Sequence, residues 1–128
     1  MTTQKKRILV VDDEVQFSRL LQLNLQQTGD YVVQVVNDPL GAVAAAETFQ
    51  PDLILLDVMM PQMDGGALAA QFQARARLKQ VPIVFLTAAV KRGEVAAHGG
   101  NIGGLSFLAK PADLKEILDC IKRRVPTG

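Results

Sequence analysis

Ile8-Leu9-Val10-Val11-Asp12-Asp13 is an uninterrupted run of four branched apolar residues ending in a pair of carboxylates. Leu53-Ile54-Leu55-Leu56-Asp57 repeats the arrangement with a single acid at its end. Runs this short, continuous and rich in branched side chains read as strands buried on both faces, the pattern of a parallel sheet covered by helices. Parallel strands bring their carboxyl ends to one edge, and open α/β folds bind ligands at that edge. The two runs therefore gather Asp12, Asp13 and Asp57 in one shallow pocket. Like charges ~4 Å apart repel by about 4 kcal/mol at an effective dielectric near 20. Such a cluster calls for a proton, a cation or a function that compensates it.

Outward from these runs, strand-like and helix-like stretches alternate, as in an α/β fold with a parallel sheet. The expected strands are Arg7–Val11, Tyr31–Val36, Asp52–Leu56, Pro82–Leu86 and Leu105–Ala109. A first helix is expected from Glu14 to Gln27, with Phe17, Leu20, Leu21 and Leu25 on its apolar face, stopped by Gly29-Asp30. Asp38 and Pro39 suit the N-cap and first turn of a second helix reaching Phe49. Met59-Met60-Pro61-Gln62-Met63-Asp64-Gly65-Gly66 reads as a loop, because Pro61 blocks a helix and Asp64-Gly65 signals a turn. A third helix follows from Ala67 to about Arg77, and Ala88 to His98 reads as a weak, polar one. Gly99-Gly100-Asn101-Ile102-Gly103-Gly104 holds four of the ten glycines and reads as a flexible break. The last helix carries the core stripe Leu114, Ile117, Leu118, Ile121 and Val125, with Asp113 as N-cap and Lys122-Arg123-Arg124 at the negative end of its dipole.

The 128 residues fit one domain, 1–128 with a core of about 7–125, and 48% hydrophobic residues can build that core. A net charge of +1 gives no general pull toward nucleic acid or anionic membrane, and the short basic runs Lys5-Lys6-Arg7 and Lys122-Arg123-Arg124 read as solvated faces. The single cysteine, Cys120, excludes an internal disulfide and a cysteine zinc site, and reads as a passive thiol in a helix. The single histidine, His98, cannot build a zinc site from histidine pairs. No signal-peptide pattern and no run near the ~20 apolar residues of a membrane helix is present, so the expected compartment is the cytoplasm.

The strand ends then define a chemistry. Asp12-Asp13, Asp57, Thr87 and Lys110 follow the first, third, fourth and fifth strands. Three carboxylates make a hard oxygen site suited to Mg²⁺, with Mn²⁺ as an alternative ion. Asp13 and Asp57 are candidates for direct ligation, Asp12 for contact through water, and the Met59 backbone carbonyl for a further ligand. A carboxylate is also a nucleophile that can accept a phosphoryl group. Lys110 offers a positive charge and Thr87 a hydroxyl to phosphoryl oxygens, and phosphoryl transfer depends mainly on such positioning and charge neutralisation. Met59, Met60 and Met63 beside the turn read as packing fillers rather than soft-metal ligands.

These residues, in this order and spacing, resemble the receiver domain of two-component response regulators, chemotaxis receivers included, over nearly the whole chain. The match rests on Asp12-Asp13, on Asp57 followed by Met59-Met60-Pro61-Gln62-Met63-Asp64-Gly65, on Thr87-Ala88 and on Lys110-Pro111. The resemblance implies a flavodoxin-like, doubly wound (βα)5 sandwich with a parallel five-stranded sheet of order 2-1-3-4-5. It implies that Asp57 is phosphorylated from a phosphohistidine of a sensor histidine kinase or a histidine phosphotransfer protein, and that Asp12, Asp13 and Asp57 bind Mg²⁺. It makes Lys110 the phosphoryl contact, Thr87 the switch hydroxyl and Phe107 the switch aromatic, and it implies a cis peptide between Lys110 and Pro111. A downstream effector is implied, with no nucleic acid bound by this domain and no membrane insertion. By the same resemblance the residues at Met59 and Ala88 govern loss of the phosphoryl group. Apolar Met59 poorly positions a hydrolytic water, so a long phosphoryl lifetime is expected, one that Met59→Asn shortens.

The reading is therefore of a phosphoaccepting signalling switch that is not a conventional enzyme, although it catalyses its own phosphorylation and dephosphorylation. A haloacid dehalogenase-type phosphatase also uses an aspartate nucleophile, but needs a second aspartate two residues later, where this chain has Met59. A flavodoxin-like flavin binder needs a phosphate-cradling loop after the first strand, where this chain has acids. A pseudo-receiver that binds partners without phosphorylation has no need of the intact acid set.

Overall fold

The computed structural model describes residues 5–58, 60–61, 63–87, 101–102, 105–109 and 113–125. The described strands are β1 (Lys6–Val11), β2 (Tyr31–Val36), β3 (Leu53–Asp57), β4 (Ile83–Thr87), β5 (Asn101–Ile102) and β6 (Leu105–Ala109). They form one sheet of order β2-β1-β3-β4-β6-β5. The pairs β1–β2, β1–β3, β3–β4 and β4–β6 are parallel. With Leu105–Ala109 in fifth place, the parallel strands stand in the expected 2-1-3-4-5 order. One strand is added: β5 pairs antiparallel with β6, Asn101 opposite Ser106 and Ile102 opposite Leu105. Part of the stretch expected as a glycine-rich break is therefore strand. The free edge of β6 supplies backbone partners to Asn101–Ile102 that their own composition does not signal. The helix expected over 88–98 lies outside the described residues.

Strand residues alternate between two cores, as period-two side chains must. Ile8, Val10, Leu53, Leu55, Val84 and Leu86 face α1 (Val15–Gln27) and the C-terminal helix (Leu114–Arg124). Leu9, Val11, Ile54, Leu56 and Phe85 face α2 (Ala42–Phe49) and α3 (Gly65–Gln73). Both faces of the sheet are covered, which is why the strands read as unbroken apolar runs.

The helices differ from expectation in detail. On α1, Leu21 and Leu25 are buried and Phe17 packs against them, but Leu20 is 60% exposed. At 3.6 residues per turn Leu20 falls on the far side of Phe17 from Leu21 and Leu25, whereas Ser18 falls next to Leu25 and is fully buried. Asp38 does cap, accepting from the Leu40 N–H at 3.0 Å, but the turn it caps is a 3₁₀ turn at Pro39–Gly41, and α2 begins at Ala42. Ala42 and Ala46 then lie flat on the sheet. Helix α3 starts at Gly65 rather than Ala67 and ends at Gln73, with 3₁₀-type bonds carrying the chain on to Leu78. Asp113 caps the C-terminal helix, accepting from the Glu116 N–H at 3.1 Å, and Cys120 is buried in the core. Arg7 is structural rather than merely solvated: its N–H donates to Asp52 at 2.8 Å and its guanidinium to the Phe49 carbonyl at 3.0 Å. Among the described residues no helix is long and apolar enough to cross a membrane.

Strand β2 is a sheet edge, and α1 covers part of its backbone. Gln22 Nε2 donates to the Val33 carbonyl at 2.9 Å, and the Val33 N–H donates to Gln26 Oε1 at 3.1 Å. Two glutamines one helical turn apart thus occupy both outward backbone groups of one edge residue. Exposed edges with high strand propensity template pairing with other chains, and Tyr31-Val32-Val33-Gln34-Val35-Val36 is such a sequence. The double substitution Gln22→Ala, Gln26→Ala is expected to lower stability by about 1–3 kcal/mol and to promote concentration-dependent association, measured by urea unfolding and sedimentation.

Tyr31 opens the same strand, 1% exposed, and its hydroxyl has no hydrogen-bond partner among the described residues. Burial, then the neighbouring Asp30 carboxylate, push its phenol above the ordinary value. The folded state therefore favours the neutral phenol. That contribution is fully present below the unfolded pKa of about 10 and is lost as pH rises through the folded one. Tyr31→Phe is expected to raise stability by about 1 kcal/mol at neutral pH by removing an unpaired buried hydroxyl. It is also expected to flatten the fall in stability above about pH 10, followed by urea unfolding across pH.

Candidate phosphoacceptor and metal site

The sheet register sets the site. Val11 is level with Leu56, which brings Asp12 level with Asp57 at the carboxyl ends of adjacent strands. Asp57 pairs with Leu86, and Thr87 pairs with Ala109. The ends of β1, β3, β4 and β6 therefore meet along one edge. Asp12, Asp13 and Asp57 converge there, with one carboxylate oxygen from each lying within 4.8 Å of the others. Asp12 is fully buried, Asp57 is 4% exposed, and Asp13 is half-buried. At that spacing each pair of charges repels by about 3 kcal/mol at an effective dielectric near 20.

Local bonds fix Asp12 and the end of β3 that carries Asp57. The Asp12 N–H donates to the Val36 carbonyl at 3.1 Å. Asp12 Oδ1 accepts from the Glu14 N–H at 2.9 Å, closing the turn into α1. The Asp12 carbonyl accepts from Asn37 Nδ2 at 2.8 Å, and the same amide donates to Ser18 Oγ at 2.9 Å. On the other strand, the Val58 N–H donates to the Leu86 carbonyl at 3.0 Å, and the Gly65 N–H donates to the Val58 carbonyl at 2.9 Å. These bonds press the first residue of α3 onto the end of β3. A Cβ at Gly65 would lie 2.5 Å from the Asp57 carbonyl oxygen and 2.7 Å from Val58 Cα. Only glycine permits that approach.

The acids identified from the sequence are thus brought together. Thr87 and Phe107 are placed by their backbones alone, at the end of β4 and opposite Phe85 on β6. Met59, Ala88, Lys110 and Pro111 lie outside the described residues, as does the peptide expected to be cis. Met60 is buried in the α2–α3 core and Met63 packs partly against it, so both act as fillers. Three residues have roles that the sequence hardly signals. Gly65 reads there only as a turn residue. Ser18 is betrayed by its spacing, since positions 18, 21 and 25 form one buried stripe. Asn37 has no signal beyond its place after β2.

The donor set fits Mg²⁺, which takes oxygen ligands and uses one or two carboxylates together with phosphate and water. Among the described residues, Cys120 is buried in the core on one face of the sheet and Met60 in the core on the other.

Comparison with known proteins agrees. A family model described as the response regulator receiver domain matches residues 8–122. The DNA-binding dual master transcriptional regulator RpaA of Synechocystis is 36% identical over 112 residues, covering 88% of this chain and 46% of that protein. The chain thus spans about half the length of such a relative. Chemotaxis protein CheY4 of Vibrio cholerae superposes with a TM-score of 0.81 at 27% identity, over 95% of this chain and 100% of that one. The receiver domain of a Pseudomonas aeruginosa sensor histidine kinase, solved with a magnesium ion coordinated in its active site cleft, gives 0.79 at 28% identity, over 97% and 100%.

Proposed function

The chain belongs to the response regulator receiver domain family, and on that premise we propose that Asp57 is its phosphoacceptor. A receiver domain is a phosphoaccepting signalling switch of two-component systems, so the question specific to this chain is which residues do the work. The observation that carries the assignment is the convergence of Asp12, Asp13 and Asp57 within 4.8 Å at the carboxyl edge of the sheet. Of the three, Asp57 alone stands on the central strand β3, between β1 and β4.

In the proposed reaction an Asp57 carboxylate oxygen attacks the phosphorus of a phosphohistidine. The new O–P bond forms as the P–N bond breaks, and the imidazole leaves with the electron pair. Asp12, Asp13 and Asp57 would hold Mg²⁺, with the Met59 carbonyl as a further candidate ligand. When bound, the ion supplies charge that offsets the acids and the phosphoryl oxygens. Lys110 contacts the phosphoryl oxygens, and Thr87 donates its hydroxyl to one of them. Movement of Thr87 is followed by Phe107, which alters the surface near β6. Water is limited by the burial of Asp57 and by apolar Met59.

The donor is a sensor histidine kinase or a histidine phosphotransfer protein, in the cytoplasm, and the changed surface engages a downstream effector. The domain is not a conventional enzyme. The expected result is a mass gain of one phosphoryl group when the protein meets Mg²⁺ and a small phosphodonor, lost with chelator and lost in Asp57→Asn. A gain undiminished in Asp57→Asn would overturn the assignment.

A further inference from the structure

The loop that carries Asp12 and Asp13 is tied down by residues outside the acid set. The Asp12 N–H is held by the Val36 carbonyl at the end of β2, and the next residue, Asn37, holds the Asp12 carbonyl. That carbonyl is half of the peptide unit joining Asp12 to Asp13. Its plane is rigid, so whatever fixes the carbonyl fixes where the Asp13 nitrogen and Cα sit and narrows the positions open to its carboxylate. The second hydrogen of the Asn37 amide goes to Ser18 Oγ, which itself donates to the Val15 carbonyl at 3.1 Å in the first turn of α1.

Ser18 is fully buried at a position where α1 otherwise places Leu21 and Leu25 in the core. An aliphatic side chain there would add to that core. The hydroxyl instead serves as the fixed seat of the Asn37 amide, and both amide hydrogens are thereby committed.

We propose that Asn37, seated on Ser18, is a positioning residue for the Mg²⁺ site, holding the Asp12–Asp13 peptide so that the Asp13 carboxylate is preset toward Asp12 and Asp57. This rests on the Mg²⁺ reading above. Residues that orient ligands commonly govern metal affinity by tenfold or more. Asn37→Ala is expected to raise the Mg²⁺ dissociation constant about tenfold. At saturating Mg²⁺ its phosphorylation rate should return to within about twofold of the parent, because the bound ion restores the Asp13 position.

The test is calorimetric titration of the parent, Asn37→Ala and Ser18→Ala with Mg²⁺, beside their melting temperatures without it. A purely structural tether lowers melting and leaves the dissociation constant unmoved. Unchanged Mg²⁺ affinity in folded Asn37→Ala overturns the proposal while the Mg²⁺ site stands. Ser18→Ala keeps the Asn37–Asp12 bond and frees the amide's other end, so a smaller rise of about threefold is expected. Unchanged affinity there overturns the proposal even if Asn37→Ala does not fold. Absence of saturable Mg²⁺ binding by the parent removes the metal site and this inference together.

Discussion

Gly65→Ala is expected to slow phosphorylation of the domain about 100-fold, as a displacement near 1 Å at a reacting group does, and to destabilise it by about 1–3 kcal/mol. The three atoms nearest the added methyl are all backbone: the Asp57 carbonyl oxygen at 2.5 Å, Val58 Cα at 2.7 Å and the Asp57 carbonyl carbon at 3.2 Å. No rotamer change relieves such contacts, so either α3 or the end of β3 must move. The Gly65–Val58 hydrogen bond joins the two, so movement of either one disturbs the end of β3 that carries Asp57. Gly66 is the internal control. A Cβ there meets only the Asp64 side chain, 3.6 Å away at its nearest, and alanine is the better helix former by about 1 kcal/mol. Gly66→Ala should phosphorylate like the parent and unfold at equal or higher urea. The rate of mass gain in phosphodonor, measured for both variants, checks the pair. Equal rates in Gly65→Ala and the parent would mean that Asp57 does not depend on this contact.

Asp13→Asn is expected to invert the effect of Mg²⁺ on stability. In the parent, three carboxylates with oxygens within 4.8 Å oppose one another, and a cation among them relieves that repulsion. At 100 times its dissociation constant the ion adds about 2.7 kcal/mol to the folded state. Without Asp13 the remaining pair repels less, so the variant should melt above the parent in chelator. With a direct ligand lost, it should gain little from Mg²⁺ and melt below the parent when the ion is present. Thermal melts of both proteins with chelator and with millimolar Mg²⁺ should therefore cross. A parallel gain in both proteins would remove Asp13 from the ligand set.

The fold and the acid cluster were legible because both are written in local pattern. Ile8–Val11 and Leu53–Leu56 are unbroken apolar runs since helices cover both faces of the sheet. Each run ends in an acid at the edge where parallel strands open. What was not legible depends on neighbours distant in sequence. Leu20 and Ser18 exchange places relative to a simple hydrophobic count, because Ser18 has a polar partner in Asn37, 19 residues away. Gly65 looks like a turn residue until the end of β3 is placed against it. The pairing of Asn101–Ile102 with β6 was obscured because their own composition does not signal it, and only the free edge of β6 supplies the backbone partners. Gln22 and Gln26 look like ordinary polar positions on α1 until β2 is known to be an edge.

The site of phosphorylation can be read at the level of single residues. Protein treated with Mg²⁺ and a phosphodonor is reduced with hydride, which converts an aspartyl phosphate to homoserine, and its peptides are then sequenced by tandem mass spectrometry. Conversion at Asp57, with Asp12 and Asp13 intact, is the predicted result. Conversion at Asp12 or Asp13, or none at Asp57 in protein that has gained the phosphoryl mass, would contradict it.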